Sequence, residues 1–303
     1  TVIGGPCVNE KLVNLADHHF NNELEFLNFL EKKKHSELNF EFCLDYSIYN
    51  LEEYFVPSTV IPLKTSTTCY YQQCTFCAHY AKVPYIEYSL KNLEDSVVKS
   101  GKKYFFLIDD MIPLKRLLSL GGLFKRYNVQ WGCQLRPTKE FSADVMKELY
   151  DCGLRFVLWG VESGCQKTLD GIKKGTIVSD VEKVLSNSHK AGVKNVTYIM
   201  FGFPTENESD FVETVDFLKR NSGFIDLVSV STFGLQKGTP VYENFKDFGI
   251  TKIIESERTV LDPKIDYVMD EKLDVRSLKK KYPFDVNKYP KLVNFFREHM
   301  FFL

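Results

Sequence analysis

From about residue 59 the chain keeps one rhythm. Short apolar runs stand at Val60 to Thr65, Tyr104 to Ile108, Val129 to Leu135, Arg155 to Val161, Asn195 to Phe201 and Asp226 to Phe233. Each is followed by a polar or glycine-bearing turn, and five of them lead into a stretch with helical periodicity. The runs YFFLI and FVLWGV are apolar without alternation, as strands are when a parallel sheet is covered on both faces. The helical stretches are Leu93 to Ser100, Leu114 to Tyr127 with leucines on one face, Ala143 to Cys152, Asp180 to Ala191 and Phe211 to Asn221. Gly101, Gly153, Gly192 and Gly223 follow four of them, each suited to a left-handed C-cap. Ser179 and Glu182 have the spacing of a capping box. Repeated βα units imply a parallel sheet with right-handed crossovers. Six strands are two short of a closed eight-stranded barrel, so the pattern predicts an α/β fold, either a partial (β/α)6 TIM-like barrel or a doubly wound sheet.

The flanks lack this rhythm. Residues 1–58 hold TVIGGP, which reads as a strand end and tight turn, a Glu/Lys/Asn-rich helical stretch from Asn22 to Glu37, and the loop DYSIYNLEEYFVP. Residues 237–303 turn charged and aromatic and read as a C-terminal extension packed on the barrel. The expected organisation is therefore an N-terminal region (1–58), a βα core (59–236) and the extension (237–303).

Composition narrows the function. The 303 residues are 44% hydrophobic and 26% charged, with a net charge of -1. There is no basic stripe of the kind that binds nucleic acid or an anionic membrane surface, and no apolar run of the ~20 residues that cross a bilayer. Of the eight cysteines, at 7, 43, 69, 74, 77, 133, 152 and 165, five are scattered through the chain. That is unlike the disulfide framework of a short secreted domain, and it predicts a reducing, cytoplasmic setting with the scattered five as small buried residues.

The other three form CYYQQCTFC, spaced C-x4-C-x2-C at Cys69, Cys74 and Cys77. They follow the first strand of the repeat, on the rim where parallel α/β folds collect ligands. Structural zinc would close with a fourth ligand, for which His79 is available. A [4Fe–4S] cluster held by three thiolates would keep one iron open to a ligand from outside the protein. Both readings stand on the residues alone.

The cysteine loop and the motifs that follow it resemble the radical S-adenosylmethionine (SAM) enzymes over roughly residues 45–236. The usual spacing there is C-x3-C-x2-C. The longer first gap is similar to a subgroup with loops like GCYWGKCTFC and an upstream cobalamin-binding domain, with Thr68 and Tyr71 in place of its glycine and tryptophan. The resemblance implies that Cys69, Cys74 and Cys77 hold a [4Fe–4S] cluster, whose open iron binds SAM and cleaves it reductively to a 5′-deoxyadenosyl radical. It implies a cofactor-binding shell of Phe76, Asp109 and Asp110 from FFLIDDMI, Arg136 from CQLRP, Glu162 and Ser163 from GVESGCQKTLDGIKKGT, and Gly202 with Pro204 from FGFPTE. It further implies an electron donor such as flavodoxin or ferredoxin, and cobalamin-linked methyl transfer or rearrangement. TVIGGP matches the tail of the subgroup's Rossmann-like cobalamin domain, whereas Asp17-His18-His19 only partly follows its D-x-H-x-x-G cobalt motif. The rival functions are a methylthiotransferase-like enzyme, which needs a second cluster that the scattered cysteines do not make, a zinc-binding structural module, and an inactive barrel. For single residues the alternatives are Asp109 or Asp110 as an N-cap of the 114–127 helix, Lys173 and Lys174 as surface charge, and Trp131 and Trp159 as core. No motif identifies the substrate or a protein-borne catalytic residue.

Overall fold

The computed structural model describes residues 1–4, 8, 10–20, 22–36, 43–53, 57–78, 84–254, 265–285 and 297–302. In chain order the elements are β1 (Val2–Gly4), α1 (Glu10–Val13), β2 (His18–Phe20), α2 (Glu23–Glu31), β3 (Val60–Leu63), α3 (Leu90–Ser100), β4 (Tyr104–Leu107), α4 (Leu114–Arg126), β5 (Gln130–Leu135), α5 (Ala143–Asp151), β6 (Leu154–Glu162), α6 (Gln166–Gly171), α7 (Val178–Lys190), β7 (Lys194–Phe201), α8 (Glu208–Arg220), β8 (Leu227–Thr232), α9 (Pro240–Glu243), β9 (Ile250–Ile254), β10 (Asp266–Met269) and α10 (Val275–Lys281).

Strands β3 to β8 form one six-stranded sheet in sequential order, parallel throughout. A doubly wound sheet would reverse its order at a switch point, so the sheet is the partial barrel. Two apolar layers explain the unbroken apolar runs. Ile61, Phe105, Trp131, Val157, Trp159 and Phe201 pack outward into the main core with Leu117, Phe124, Leu185 and Phe217 of the helices. Phe106, Phe156, Leu158 and Val196 point to the other side and form a second cluster with Met300, flanked by Val60 of β3 and Leu227 of β8. Side chains from both outer strands meet there because the sheet curls. Phe301 lies against Phe156 and Tyr104 at ring distances of 4.9 and 5.3 Å, and Lys194 Nζ donates to the Met300 carbonyl at 2.8 Å. The short 3₁₀ turn Arg297–Phe301 thus fills the lumen at the N-terminal ends of the strands.

The flanks form two smaller units. β1 and β2 pair in parallel through α1. The expected helix over 22–37 is shorter: Asn22 caps α2 by accepting from Glu25 N, and Lys32 ends it in a left-handed conformation. The loop over 43–53 lies against α3, with Leu44 N donating to Ser96 Oγ at 2.9 Å. After β8, the antiparallel hairpin of β9 and β10 packs Ile250, Ile265 and Tyr267 against Phe203, Phe233 and Met200.

Three local expectations fail. Of the scattered cysteines Cys133 and Cys165 are buried as expected, but Cys152 is half-buried and Cys43 is exposed. No capping box forms at Ser179: α7 starts at Val178 with Ile177 as N-cap, and Glu182 instead accepts from Arg220 Nε at 2.6 Å. The capping box is at α8, between Asn207 and Asp210. Gly223 is not a left-handed cap either, because Asn221 ends α8 and Gly223 enters a 3₁₀ turn. Gly101, Gly153 and Gly192 do adopt positive φ, at 60°, 96° and 89°. Gln166–Gly171 adds a short helix absent from the repeat pattern.

Gly132 shows how tightly the inner face is packed. A Cβ there would lie 2.3–2.7 Å from ring atoms of Phe156. Gly132→Ala is expected to destabilise the chain by about 1–3 kcal/mol through overpacking, read as a lower urea midpoint at unchanged slope, and Phe156→Leu in the same chain should recover part of the loss.

Candidate functional site

The cysteine loop leaves the C-terminal end of β3 through a stem of buried residues. Asp109, just beyond β4, accepts hydrogen bonds from Thr65 N and Thr65 Oγ1, both at 3.0 Å, and from Ser66 Oγ at 2.7 Å. Burial pushes its carboxyl pKa up, against these hydrogen bonds. The stem is also stitched to the returning segment, with Tyr88 N donating to Thr65 O at 2.9 Å and Thr67 N to Ile86 O at 3.0 Å. Asp109 therefore anchors the loop. Neither Asp109 nor Asp110 caps α4, whose N-cap is Pro113.

Beyond the stem, Cys69, Cys74 and Cys77 are all half-buried free thiols. Thr75, between the last two, donates its N–H to Ile172 O at 3.0 Å, while Val241 N donates to Thr75 O at 3.1 Å. The loop is thereby fixed to the end of α6 and to α9. Among the described residues no three His, Cys, Asp or Glu side chains gather as ligands of one metal ion. His79, the fourth zinc ligand considered above, lies outside the described residues. A cluster distributes its thiolates over separate irons, so its ligands need not converge on one point.

Glu162 and Lys174 form the electrostatic centre of the rim. Glu162 ends β6 at φ 67°, beside a shift in the β6–β7 register. A left-handed glutamate is an uncommon and strained state that persists where surrounding structure over-determines it. Its Oε1 lies 2.8 Å from Lys174 Nζ, with side-chain exposures of 14% and 3%. Lys174 was expected at the surface and is buried, while Lys173 is exposed. Burial opposes the charge of Lys174, but the Glu162 carboxylate, joined by the Cys74 and Cys69 sulfurs when they are ionised, outweighs it and holds the ammonium above the ordinary lysine value. Burial pushes the Cys74 thiol up, and Lys174 opposes that shift. Gly160 makes room for the pair, since a Cβ there would stand 2.9 Å from Lys174 Nζ and 3.1 Å from Glu162 Oε1. Lys174 Nζ also lies 5.9 Å from the centroid of the Phe76 ring.

Arg136, after β5, has its guanidinium 3.6 Å from the Tyr71 ring centroid and donates to Lys174 O at 3.1 Å. Ser163 is 1% exposed and turns outward, sharing a 2.9 Å hydrogen bond with Thr214 of α8. After β7, Gly202 has φ 80° and donates its N–H to Glu206. Glu206 is 6% exposed, its Oε1 has no hydrogen-bond partner, and burial raises its pKa from 4.5 to about 7. The structure thus brings Arg136 and Glu162 to the cysteine loop that carries Phe76, sets Gly202 at the end of the neighbouring strand, and turns Asp109 and Ser163 towards structural partners. Sequence reading missed Lys174 and Glu206. The twelve-residue step from a strand-end glutamate to a lysine in GIKKGT carries no local sign of burial.

Residues 63–218, just over half of the chain, match the Radical SAM superfamily. The chain is 27% identical over 164 residues to bacteriochlorophyllide d C-8(2)-methyltransferase of Chlorobaculum tepidum, a match covering 53% of this chain and 36% of that protein. It is 26% identical over 255 residues to tRNA-2-methylthio-N(6)-dimethylallyladenosine synthase of Clostridium botulinum, covering 75% and 54%. The solved structure of the cobalamin-dependent S-adenosylmethionine radical enzyme OxsB, with aqua-cobalamin and S-adenosylmethionine bound, superposes with a TM-score of 0.65 at 15% identity, covering 89% of this chain and 51% of that one. The chain thus spans between about a third and a half of the length of each. No helix among the described residues is long and apolar enough to cross a membrane.

Two measurements check this electrostatic description. Lys174→Met leaves a mostly buried carboxylate without its partner and should cost about 3 kcal/mol, the low end for breaking a buried pair, while Glu162→Gln added to it should restore much of the loss. For Glu206 the folded pKa is raised, so its contribution to stability is full below pH 4.5 and is lost as pH rises from 4.5 towards 7. The full span is worth roughly 3 kcal/mol. Urea titrations across that window should show a slope that Glu206→Gln removes.

Proposed function

Since this chain belongs to the radical SAM superfamily, we propose that Cys69, Cys74 and Cys77 hold a [4Fe–4S] cluster with one iron left for S-adenosylmethionine. The observation that carries this reading is the arrangement at the rim: three half-buried thiols on the loop after β3, and a buried ammonium at Lys174, 5.9 Å from the Phe76 ring of the same loop. The donor set suits iron, and the ammonium suits an anionic group brought in from outside. When bound, the reduced cluster supplies the electron that splits S-adenosylmethionine.

The residues of the chain bind, orient and exclude water. Lys174 would offer charge to the carboxylate of the incoming molecule, and Glu162 would accept from its amino or hydroxyl groups. Phe76 would provide an apolar face for the adenine, and the Gly202 turn, at positive φ, would support the base from the β7 side. Asp109 holds the loop stem and so acts through the cysteines. Asp110 and Ser163 belong to the expected shell by resemblance, and the engaged hydroxyl of Ser163 gives it a supporting place behind Glu162.

For the reaction we favour methyl transfer or a related rearrangement with cobalamin. The four-residue first gap of the cysteine loop supports this, as does the methyltransferase relative. The parallel pair β1–β2 joined by α1 suits an edge of a Rossmann-like domain within residues 1–58. Methylthio transfer is the second reading, favoured by the relative matched over 75% of this chain. An electron donor of the flavodoxin or ferredoxin type would serve either.

Anaerobic reconstitution with iron and sulfide tests the proposal. The expected result is close to four irons and four sulfides per chain, 5′-deoxyadenosine released on reduction with S-adenosylmethionine, and loss of both in Cys69→Ala, Cys74→Ala or Cys77→Ala. A chain that takes up one zinc and no sulfide overturns it. Binding of methylcobalamin, followed by its absorbance, separates the methyl-transfer reading from the methylthio reading.

A further inference from the structure

The first gap of the cysteine loop is four residues long, and it is held by a built socket. Gln72, inside the gap, takes a left-handed backbone at φ 48°, which turns the chain within the extra length. Tyr71, next to it, sends its side chain across the rim to the turn after α6. Its hydroxyl donates to Lys173 O at 2.9 Å. The face of its ring is covered by the Arg136 guanidinium at 3.6 Å. The same guanidinium donates to Lys174 O at 3.1 Å and to the Tyr70 hydroxyl at 3.4 Å. Both aromatic residues of the gap and the Lys174 carbonyl therefore meet at one cation, while the Lys173 carbonyl is held by Tyr71 itself.

Gly175 completes the socket. Its φ is 66°, and a Cβ there would lie 2.1 Å from the Tyr71 hydroxyl and 3.0 Å from Arg136 Nη1. The position needs glycine twice over, for backbone conformation and for space. Arg136 Nε is buried without a hydrogen-bond partner. A donor left unpaired in this way costs stability, so the stacked placement of the guanidinium is held by other contacts rather than by full hydrogen bonding. Arg136 is thus oriented by Tyr71, Tyr70 and the turn, in a way that a lysine could not reproduce.

We propose that Tyr71, Arg136 and Gly175 form a clamp that positions Cys69 and Cys74 for the cluster and ties them to the turn carrying Lys174. This rests on the cluster reading above. It assigns Arg136 a positioning role, acting on the cysteine loop and not on the bound cofactor. On one side of the turn the backbone carbonyls of 173 and 174 take the clamp, and on the other the Lys174 ammonium meets Glu162. A shift of the cysteine loop therefore moves the ammonium with it.

The experiment measures how fast the reconstituted chain loses iron to a chelator under argon, together with its reduced EPR spectrum. The variants are Tyr71→Phe, Tyr71→Ala, Arg136→Lys and Gly175→Ala. Tyr71→Ala and Arg136→Lys are expected to speed iron loss by roughly 10–100-fold, the range for groups that orient metal ligands, and to broaden the EPR signal. Tyr71→Phe keeps the ring and should fall between them and the wild type. Gly175→Ala should lose iron at least as fast as Tyr71→Ala, and the double variant should fall short of the sum of the two, because the 2.1 Å clash is with the removed side chain while the backbone strain remains. Wild-type retention and an unchanged spectrum in Tyr71→Ala and Arg136→Lys would overturn the clamp. So would equal loss of folding in the iron-free variants, read by thermal unfolding, because the residues would then be general supports. A wild-type chain that takes up no cluster would bring down the underlying reading as well, and is recognised by the absence of iron before any variant is compared.

Discussion

The rim of this barrel depends on a buried ammonium. Removing Lys174 from water is costly, and only a close, well-oriented carboxylate offsets that cost. Glu162 provides it at 2.8 Å, from a left-handed backbone position that few glutamates adopt. The neighbouring features make sense from there. Gly160 lacks a Cβ because the pair occupies that space. The cysteine loop comes close enough for the Cys74 thiol and the Lys174 ammonium to influence each other. A lysine fixed between a carboxylate and an aromatic ring thus keeps its charge although it is buried.

The sheet sets this geometry. Six parallel strands in sequential order send every βα loop to one rim, so residues far apart in the chain, such as Cys74, Arg136, Glu162 and Lys174, become neighbours. The helices make the outer layer of the core, and the 3₁₀ turn at 297–301 fills the lumen at the opposite end. With that end filled by aromatic rings, the βα loops gather at the opposite rim. The hairpin of β9 and β10 borders it on the β7–β8 side through Phe203, Phe233 and Met200.

Much of this was legible in the sequence. The runs 104–108 and 156–161 marked buried strands because apolar residues on both faces leave no alternation, and β4 and β6 lie where those runs stand. Trp131 and Trp159 read as core and are fully buried. The cysteine spacing pointed to a metal, and the family match agrees with the resemblance it suggested. Legibility ended where the deciding partner was distant in sequence. Lys174 sits in the polar stretch GIKKGT and looks like surface charge, because its partner lies on another element. Asp109 looked like a cofactor ligand or a helix cap, and its partners are Thr65 and Ser66, more than forty residues earlier. Ser179 and Glu182 had the spacing of a capping box, but Arg220 of α8 takes up Glu182. Local spacing describes what a residue is able to do, and the fold selects which partner it meets.

The central claim is that three cysteines hold a cluster with one iron open to S-adenosylmethionine. The most direct measurement is the EPR spectrum of the anaerobically reconstituted and reduced chain, before and after S-adenosylmethionine is added. The account predicts a reduced [4Fe–4S] signal whose g-values shift on addition, because the new ligand reaches the open iron. A reduced cluster whose spectrum does not respond, or a chain that yields no such signal, would contradict it.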